Sequence, residues 1–392
     1  METESPKRLL SLDVFRGLTI AGMILVNSPG NNTAWWPLDH AEWHGMTPTD
    51  LVFPFFVFIA GVSLVFSLRK RLDRGDTRRE LLAQILKRTV IIFALGLVLN
   101  GYPHYHLSTI RILGVLQRIA LCYFFASVVF LWGSVSTQIM AFVAILLGYW
   151  GFMMLYHVPG FGSGDLTKEG NLASYIDRAL LAGHLYRPVY DPEGILSTLP
   201  AIATALSGTL TGVWLRFASV QVRPGRRFAA QGHAPTPAPG WPSGRKVTGL
   251  LQAGFVCLLA GWKWGYLFPI NKALWTSSYV LISTGWALVV LSLCYWLIEI
   301  RGWTRWSRPF EIFGTNAVAA YFLHVFFLKL QNLWKVSGPD GVPISVRIAF
   351  TNNVFGFWLS PQNASLAYAF SYALLWLAVF WILYRKKIFI KI

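Results

Sequence analysis

Residues 9–68 read LLSLDVFRGLTIAGMILVNSPGNNTAWWPLDHAEWHGMTPTDLVFPFFVFIAGVSLVFSL. Two apolar segments flank a short polar loop. The first, 10–29, carries Asp13 and Arg16 near one end and Asn27 near the other. The loop holds His40 and His44 among Trp35, Trp36 and Trp43, and the second segment, 48–68, opens on Thr47-Pro48-Thr49-Asp50. Each segment has the length of about 20 residues that crosses a hydrocarbon layer. Ionisable groups at or near membrane depth are costly, which makes those in this stretch the first candidates for function.

The rest of the chain has the same character. It is 55% hydrophobic and only 13% charged, with 18 Trp in 392 residues, so it is expected to be an all-α polytopic membrane protein. A net charge of +17 would suggest nucleic acid in a soluble protein, but here membrane topology explains it. The bilayer is the expected partner, and nucleic acid is not. Lys7-Arg8 leads into an apolar segment too long for a signal peptide, with no small-residue cleavage site behind it. Cys122, Cys257 and Cys294 all sit in apolar runs and are expected to be free thiols.

Windows of span length occur about ten times, near 10–29, 48–68, 85–101, 110–132, 137–156, 196–215, 247–263, 276–299, 309–331 and 364–384. The third and seventh are short. The stretch 344–360 is broken by Asn352 and Asn353 and is expected to be interfacial or re-entrant. With both termini cytoplasmic, 23 of the 34 Lys and Arg fall inside and 9 outside, which favours that orientation. The chain then divides into an N-terminal part, 1–215, with six spans, a Pro/Gly/Ala-rich linker, 216–246, and a C-terminal part, 247–392, with four spans. Two outside segments stand out, the loop 30–47 and a longer one, 157–195. In the longer loop Asn171 can cap a short helix through Leu181 with Gly183 at its end, and its acids and aromatics suit a lid.

Several residues in this frame have two readings. His40, beside Asp39, is either a proton acceptor near working pH or an interfacial histidine among anchoring aromatics. His40 and His44 with Glu42 between them do not form the zinc-protease order, and no third ligand is identifiable, so no metal is expected. Asn27 either hydrogen-bonds a substrate carbonyl or caps a helix end. Asp50 either orients His40 or satisfies backbone at the start of the second span. Asp13 and Arg16 share a helical face and suit an ion pair. Arg111, Gln117 and Arg118 bring polar groups to the fourth span, and a buried Arg118 needs a partner, either an anionic ligand or Asp13. Lys87 and Arg88 lie at the cytoplasmic mouth of the third span. Asn271 and Lys272 are expected outside, and Asn316, Tyr321 and His324 in the ninth span as second-tier candidates.

LLSLDVFRGLTIAGMILVN, LDHAEWHGMTPTDLVFPFFVFIAG and RILGVLQRIALCY, followed by FPINKALWTSSY and GTNAVAAYFLHV, resemble the heparan-α-glucosaminide N-acetyltransferase family, in particular its bacterial members. The resemblance covers the chain except for 216–246. It implies a transmembrane acyltransferase of the bacterial inner membrane that takes acetyl-CoA from the cytoplasm. The acceptor would be the amine of glucosamine or a terminal glucosaminide on the periplasmic side. The family's active-site histidine carries over to His40 and its asparagine to Asn27, and a homodimer is implied as well. The loop between them looks slightly longer than in the animal enzyme, whose extra N-terminal span and luminal domain are missing here; this points to a smaller bacterial amino sugar.

The expected chemistry follows from those roles. His40, oriented by Asp50, takes the proton of the attacking amine, and Asn27 steadies the oxyanion. Arg16, Arg88, Arg111, Gln117, Arg118 and Asn316 are the candidates for holding the co-substrate. Trp36, Trp43, Asn271, Lys272 and His324 are the candidates for the acceptor. An acetylated histidine is the alternative route. A secondary transporter for an amino sugar and an acyltransferase acting on another envelope glycan are the competing functions.

Overall fold

The structure is a computed structural model that describes residues 9–217, 243–338 and 341–390. The expected linker lies almost wholly outside the described residues.

The first long helices follow the apolar windows closely: α1 (Leu10–Asn27), α2 (Val52–Leu72), α3 (Arg78–Gly101), α4 (Val115–Trp132) and α5 (Val135–Leu155). Helix α1 has no side-chain cap of its own. Instead Glu299 Oε1, far along the chain, accepts the N–H of Ser11 at 3.2 Å. A carboxylate there meets the positive end of the helix dipole. Helix α3 begins seven residues before its apolar window. Thr77 and Glu80 form a capping box, so the helix starts ahead of the apolar run and carries Lys87 and Arg88 on its early turns.

The long loop after α5 opens with a two-stranded ribbon, β1 (His157–Val158) with β2 (Gly162–Ser163), followed by α6 (Leu172–Leu180). Asn171 caps α6 by accepting from Ser174 N at 2.8 Å, and Gly183 beyond it has φ +81°, as the sequence suggested.

The remaining long helices are α7 (Thr198–Phe217), α8 (Ser243–Trp264) and α9 (Ser277–Tyr295), which runs on into a wide turn, Trp296–Ile300. The ninth window is not one straight span. It splits into α10 (Arg308–Thr315) and α11 (Ala317–Leu333), bent by 77° at Asn316. A second ribbon, β3 (Lys335–Ser337) with β4 (Pro343–Ser345), leads to α12 (Val346–Val354), which is too short to cross a bilayer. Helix α13 (Pro361–Arg385) closes the bundle.

Among the described residues, eight helices are long and apolar enough to span, or nine if the bent pair counts once. The expectation of ten also requires α8, which has 22 residues but lies outside that set. The chain is a multi-pass helical membrane protein.

Small residues set the closest helix crossings. A Cβ at Gly61 would collide with the Ala205 carbonyl, and one at Gly208 with the Phe58 carbonyl, so α2 and α7 meet backbone to backbone. Gly17 and Gly314 allow the same approach between α1 and α10. Lipid tails give apolar side chains no reason to leave them, so close backbone contact of this kind drives helix association in membranes.

Candidate active site

Asp50 anchors the loop between α1 and α2. It lies in a tight turn, Pro48–Leu51, just before α2, and its side chain is 1% exposed. Oδ2 accepts the backbone N–H of Thr47 at 3.0 Å and of Ala41 at 3.2 Å. The Asp50 carbonyl accepts from the Tyr279 hydroxyl at 2.5 Å, which ties the turn to α9. The carboxylate is therefore fixed from both sides, with Oδ1 left for other work.

Oδ1 lies 2.7 Å from Nδ1 of His40, whose side chain is 52% exposed. An ionised carboxylate only accepts, so Nδ1 is the donor in this pair. Both sequence readings of Asp50 hold together: one oxygen caps the turn and the other orients the histidine. Lys272 joins them, with Nζ 3.3 Å from Asp50 Oδ1 and 3.0 and 3.4 Å from the two ring nitrogens of His40. Burial lowers the pKa of Lys272, and the Asp50 charge works against that shift.

Lys272 is positioned by the connection between α8 and α9. The buried Asn271 accepts the N–H of Leu274 through Oδ1 at 2.9 Å, and its own N–H reaches Thr276 Oγ at 3.1 Å. Trp275, 1% exposed, holds φ +51°, a conformation a bulky residue adopts only when its surroundings enforce it. Its indole N–H bonds Thr204 Oγ at 3.1 Å. The two loops are stitched together, since Gly45 N donates to the Ile270 carbonyl at 2.8 Å and Asn271 Nδ2 reaches His44 Nδ1 at 3.4 Å. His44 is thereby engaged with Asn271 while His40 is engaged with Asp50. Partial burial lowers the His44 pKa.

The long loop after α5 folds onto the His40 loop. Trp43 donates through Nε1 to the Leu166 carbonyl at 2.8 Å, packs edge-on against Tyr190 at 5.1 Å, and has Lys168 over its face at 5.6 Å. Arg111 ties the loop's far end, gripping Asp191 through Nε at 2.9 Å and Nη2 at 2.5 Å, and also Glu193. Burial opposes the Arg111 charge, but the bond to Asp191 and the Glu193 carboxylate outweigh it and raise the pKa. Asp177 on α6 is buried and accepts the N–H of Ile195 at 2.8 Å. Burial pushes its pKa up to about 6 despite that bond.

Residues expected on one co-substrate surface fall in two places. Arg16 and Arg88 line a cavity of about 480 Å³ that enters between α1, α2, α3 and α4, with Ser63, Ser67 and Tyr123 among its walls. Arg88 lies 4.9 Å over the Tyr123 ring. Arg16 bonds Asp13 at 3.0 Å and Ser63 Oγ at 2.6 Å, so the expected ion pair is present and forms part of the cavity wall. A second hollow of about 260 Å³ shares Ser67, Arg88 and Tyr123 and adds Arg71 and Lys87. Asn316 sits at the bend beside this cavity, where its amide is engaged with the backbone of Ile388 and Ile390.

Arg111, Gln117 and Arg118 belong instead to the lid side. Arg118, 1% exposed, does not reach Asp13 as one sequence reading had it. It bonds Ser197 Oγ at 2.5 Å and the Gly194 carbonyl at 3.3 Å, and lies 5.0 Å over Trp275. Its Nε and Nη1 have no partner among the described residues. Gln117 packs into the space left by Gly96 and Gly114.

The acceptor candidates also divide. Lys272 sits against His40, while Asn271 meets His44 and Trp43 meets the Leu166 carbonyl. Trp36 stands 70% exposed on the same loop. His324 is elsewhere, buried in α11 with Nδ1 donating to the Ala320 carbonyl at 2.8 Å. Asn27 ends α1, exposed and with no hydrogen-bond partner among the described residues. Tyr279, Ser63 and the pairing of Arg111 with Asp191 and Glu193 were not foreseen. Tyr279 acts on a backbone oxygen, and no spacing in a sequence marks that.

A family model described as heparan-alpha-glucosaminide N-acetyltransferase, catalytic, matches residues 8–171. This range takes in α1 to α5, the His40 loop and the start of the lid. The chain is 31% identical over 440 aligned residues to the human heparan-alpha-glucosaminide N-acetyltransferase and 30% identical over 445 to the mouse protein. These alignments take in 99% of this chain but only 60% and 61% of the relatives, so the chain spans about three fifths of their length. On these matches, the chain is similar to the heparan-alpha-glucosaminide N-acetyltransferases over almost its whole length.

Proposed function

We propose that this protein is a transmembrane N-acetyltransferase that moves an acetyl group from acetyl-CoA to the amine of glucosamine or a glucosaminide. The observation that carries the reading is the His40–Asp50 pair. A buried, backbone-anchored carboxylate holds the imidazole by Nδ1, so Nε2, with Lys272 Nζ 3.4 Å away, is the nitrogen available to act as base. The basic cavity at the opposite end of α2 suits the phosphates of coenzyme A. It is lined by Arg16 and Arg88, with Arg71 and Lys87 at the adjoining hollow. Phe56, in that cavity's wall, is six residues from Asp50, roughly 9 Å of helix. A pantetheine arm rising from the cavity has that distance left to cover.

In the reaction the amine nitrogen attacks the thioester carbonyl. The C–N bond forms, the C–S bond breaks, and the proton of the amine passes to His40 Nε2. Coenzyme A leaves as the thiolate and takes up a proton. Asn27, whose amide is unengaged, is the side-chain candidate for meeting the transient oxyanion. The excess of Lys and Arg in the segments assigned inside supports cytoplasmic termini, with the His40 loop on the periplasmic side of a bacterial inner membrane. The lid and the tryptophans of this loop give an acceptor sugar apolar faces to stack on.

The test uses inside-out vesicles, with labelled acetyl-CoA outside and glucosamine within. Labelled N-acetylglucosamine in the lumen, lost in a folded His40→Ala variant, supports the reading. Equal product from both proteins removes His40 from the chemistry. Transport of unmodified glucosamine without any need for acetyl-CoA would replace the reading with the transporter.

A further inference from the structure

Lys272 is a puzzle in a site that accepts an amine. Its ammonium would repel a protonated acceptor, and its nitrogen points to the base and the carboxylate behind it: 3.0 Å to His40 Nδ1, 3.4 Å to His40 Nε2 and 3.3 Å to Asp50 Oδ1. The loop around it is rigid, held by Asn271, Thr276 and the left-handed Trp275. Its side chain remains 22% exposed, so the charge it gains from the Asp50 ion pair keeps some solvation.

The electrostatics of His40 explain this placement. An imidazole hydrogen-bonded to a buried carboxylate is drawn toward the charged form, in which it cannot take another proton. The Lys272 ammonium, 3.0 Å from the same ring nitrogen and 3.3 Å from the same carboxylate oxygen, opposes that pull. Resting on the proposed acetyltransferase reading, we infer that Lys272 is a positioning residue for charge, cancelling Asp50 at His40 so that the imidazole stays neutral and able to accept the amine proton. The other groups facing this place leave the two charges dominant. Asp39 accepts the His40 backbone N–H, His44 is engaged with Asn271, the Tyr279 hydroxyl is turned to the Asp50 carbonyl, and Glu193 on the lid acts on Lys272 from farther away.

The experiment compares the full-length wild type with Lys272→Met, Lys272→Gln and Lys272→Arg in lipid nanodiscs. Two readouts are taken across pH 5 to 9. One is kcat/KM for glucosamine at saturating acetyl-CoA. The other is the rate at which diethyl pyrocarbonate, which attacks neutral imidazole, modifies the His40 peptide, followed by mass spectrometry. Both neutral variants should move the acidic limb and the modification midpoint up by about one pH unit, the size expected of one charge a few ångströms away at a partly hydrated site. Lys272→Arg should keep both close to the wild type. Unchanged midpoints in the two neutral variants would overturn the inference, as would a rise in acceptor KM alone at every pH. A modification midpoint that shifts in protein whose His40→Ala form stays active would instead sink the catalytic reading of His40 and leave the charge balance standing.

Discussion

Trp43, in the loop that carries His40, donates its indole N–H to the carbonyl of Leu166 at 2.8 Å, 123 residues away in the lid. This bond joins the proposed base and the proposed cover through a single side chain. Trp43→Phe would keep the ring against Tyr190 and lose only the donor. A hydrogen bond of this kind contributes about 1 kcal/mol, so KM for the acceptor should rise roughly five-fold with kcat little changed. Steady-state kinetics at saturating acetyl-CoA would decide it, and an unaltered KM would separate the lid from acceptor binding.

Asp50→Asn preserves shape while removing the obligatory acceptor at His40 Nδ1. The amide can donate to the ring, which would place the imidazole proton on Nε2, the wrong nitrogen. The expected loss in kcat is roughly two to four orders of magnitude. Single-turnover transfer of labelled acetyl measures it, with the thermal melt checking that the turn at 47–51 survives. A variant as fast as wild type would deny Asp50 its orienting part.

Asp177 makes the lid pH-sensitive in a direction that follows from its environment. Its folded pKa is raised to about 6 from an ordinary 3.8. Between those values the folded lid binds more protons than the unfolded one, so stability falls as pH rises through the window. Above pH 7 the penalty amounts to about 3 kcal/mol, and at pH 5 to about half that. Asp177→Asn still accepts from Ile195 and avoids the buried charge. It should therefore melt at a higher temperature than wild type at pH 7.5, with a smaller advantage at pH 5. An advantage that grows toward acid pH would reverse the assignment.

Arg88 borders both hollows. If it meets phosphate there, Arg88→Gln should raise KM for acetyl-CoA by about ten-fold, the worth of one charge-assisted contact. S-acetylpantetheine, a donor without nucleotide phosphates, should show no such difference between the two proteins. An equal penalty with both donors would mean that Arg88 supports the helices and not the ligand.

Much of the scaffold was legible in the sequence because membrane burial leaves long apolar runs. The cap at Asn171 and the turn at Gly183 were also legible, since both rest on local chemistry. The pairing of His40 with Asp50 was half visible: the residues were identified, but Asp50 had two roles open and filled both. What escaped depends on distant backbone. The 77° bend at Asn316 has no proline to announce it. The start of α3 lies outside the apolar window because Thr77 and Glu80 let charged residues continue the helix into water. Arg118 found its contacts at Ser197 and Gly194, about 80 residues on, where no helical periodicity could direct the search.

The bend at Asn316 has a mechanical consequence. Its Nδ2 donates to the Ile388 carbonyl at 3.3 Å and its Oδ1 accepts from Ile390 N at 2.8 Å, while Ile390 itself lines the larger hollow. Crank and latch are thus one part: α10 and α11 cannot straighten without letting go of 388–390, and that strand cannot swing clear without leaving the crank unpinned. A cross-link between the two would jam the mouth of that hollow at a fixed width, and anything appended behind Ile390 would be hung from its door frame.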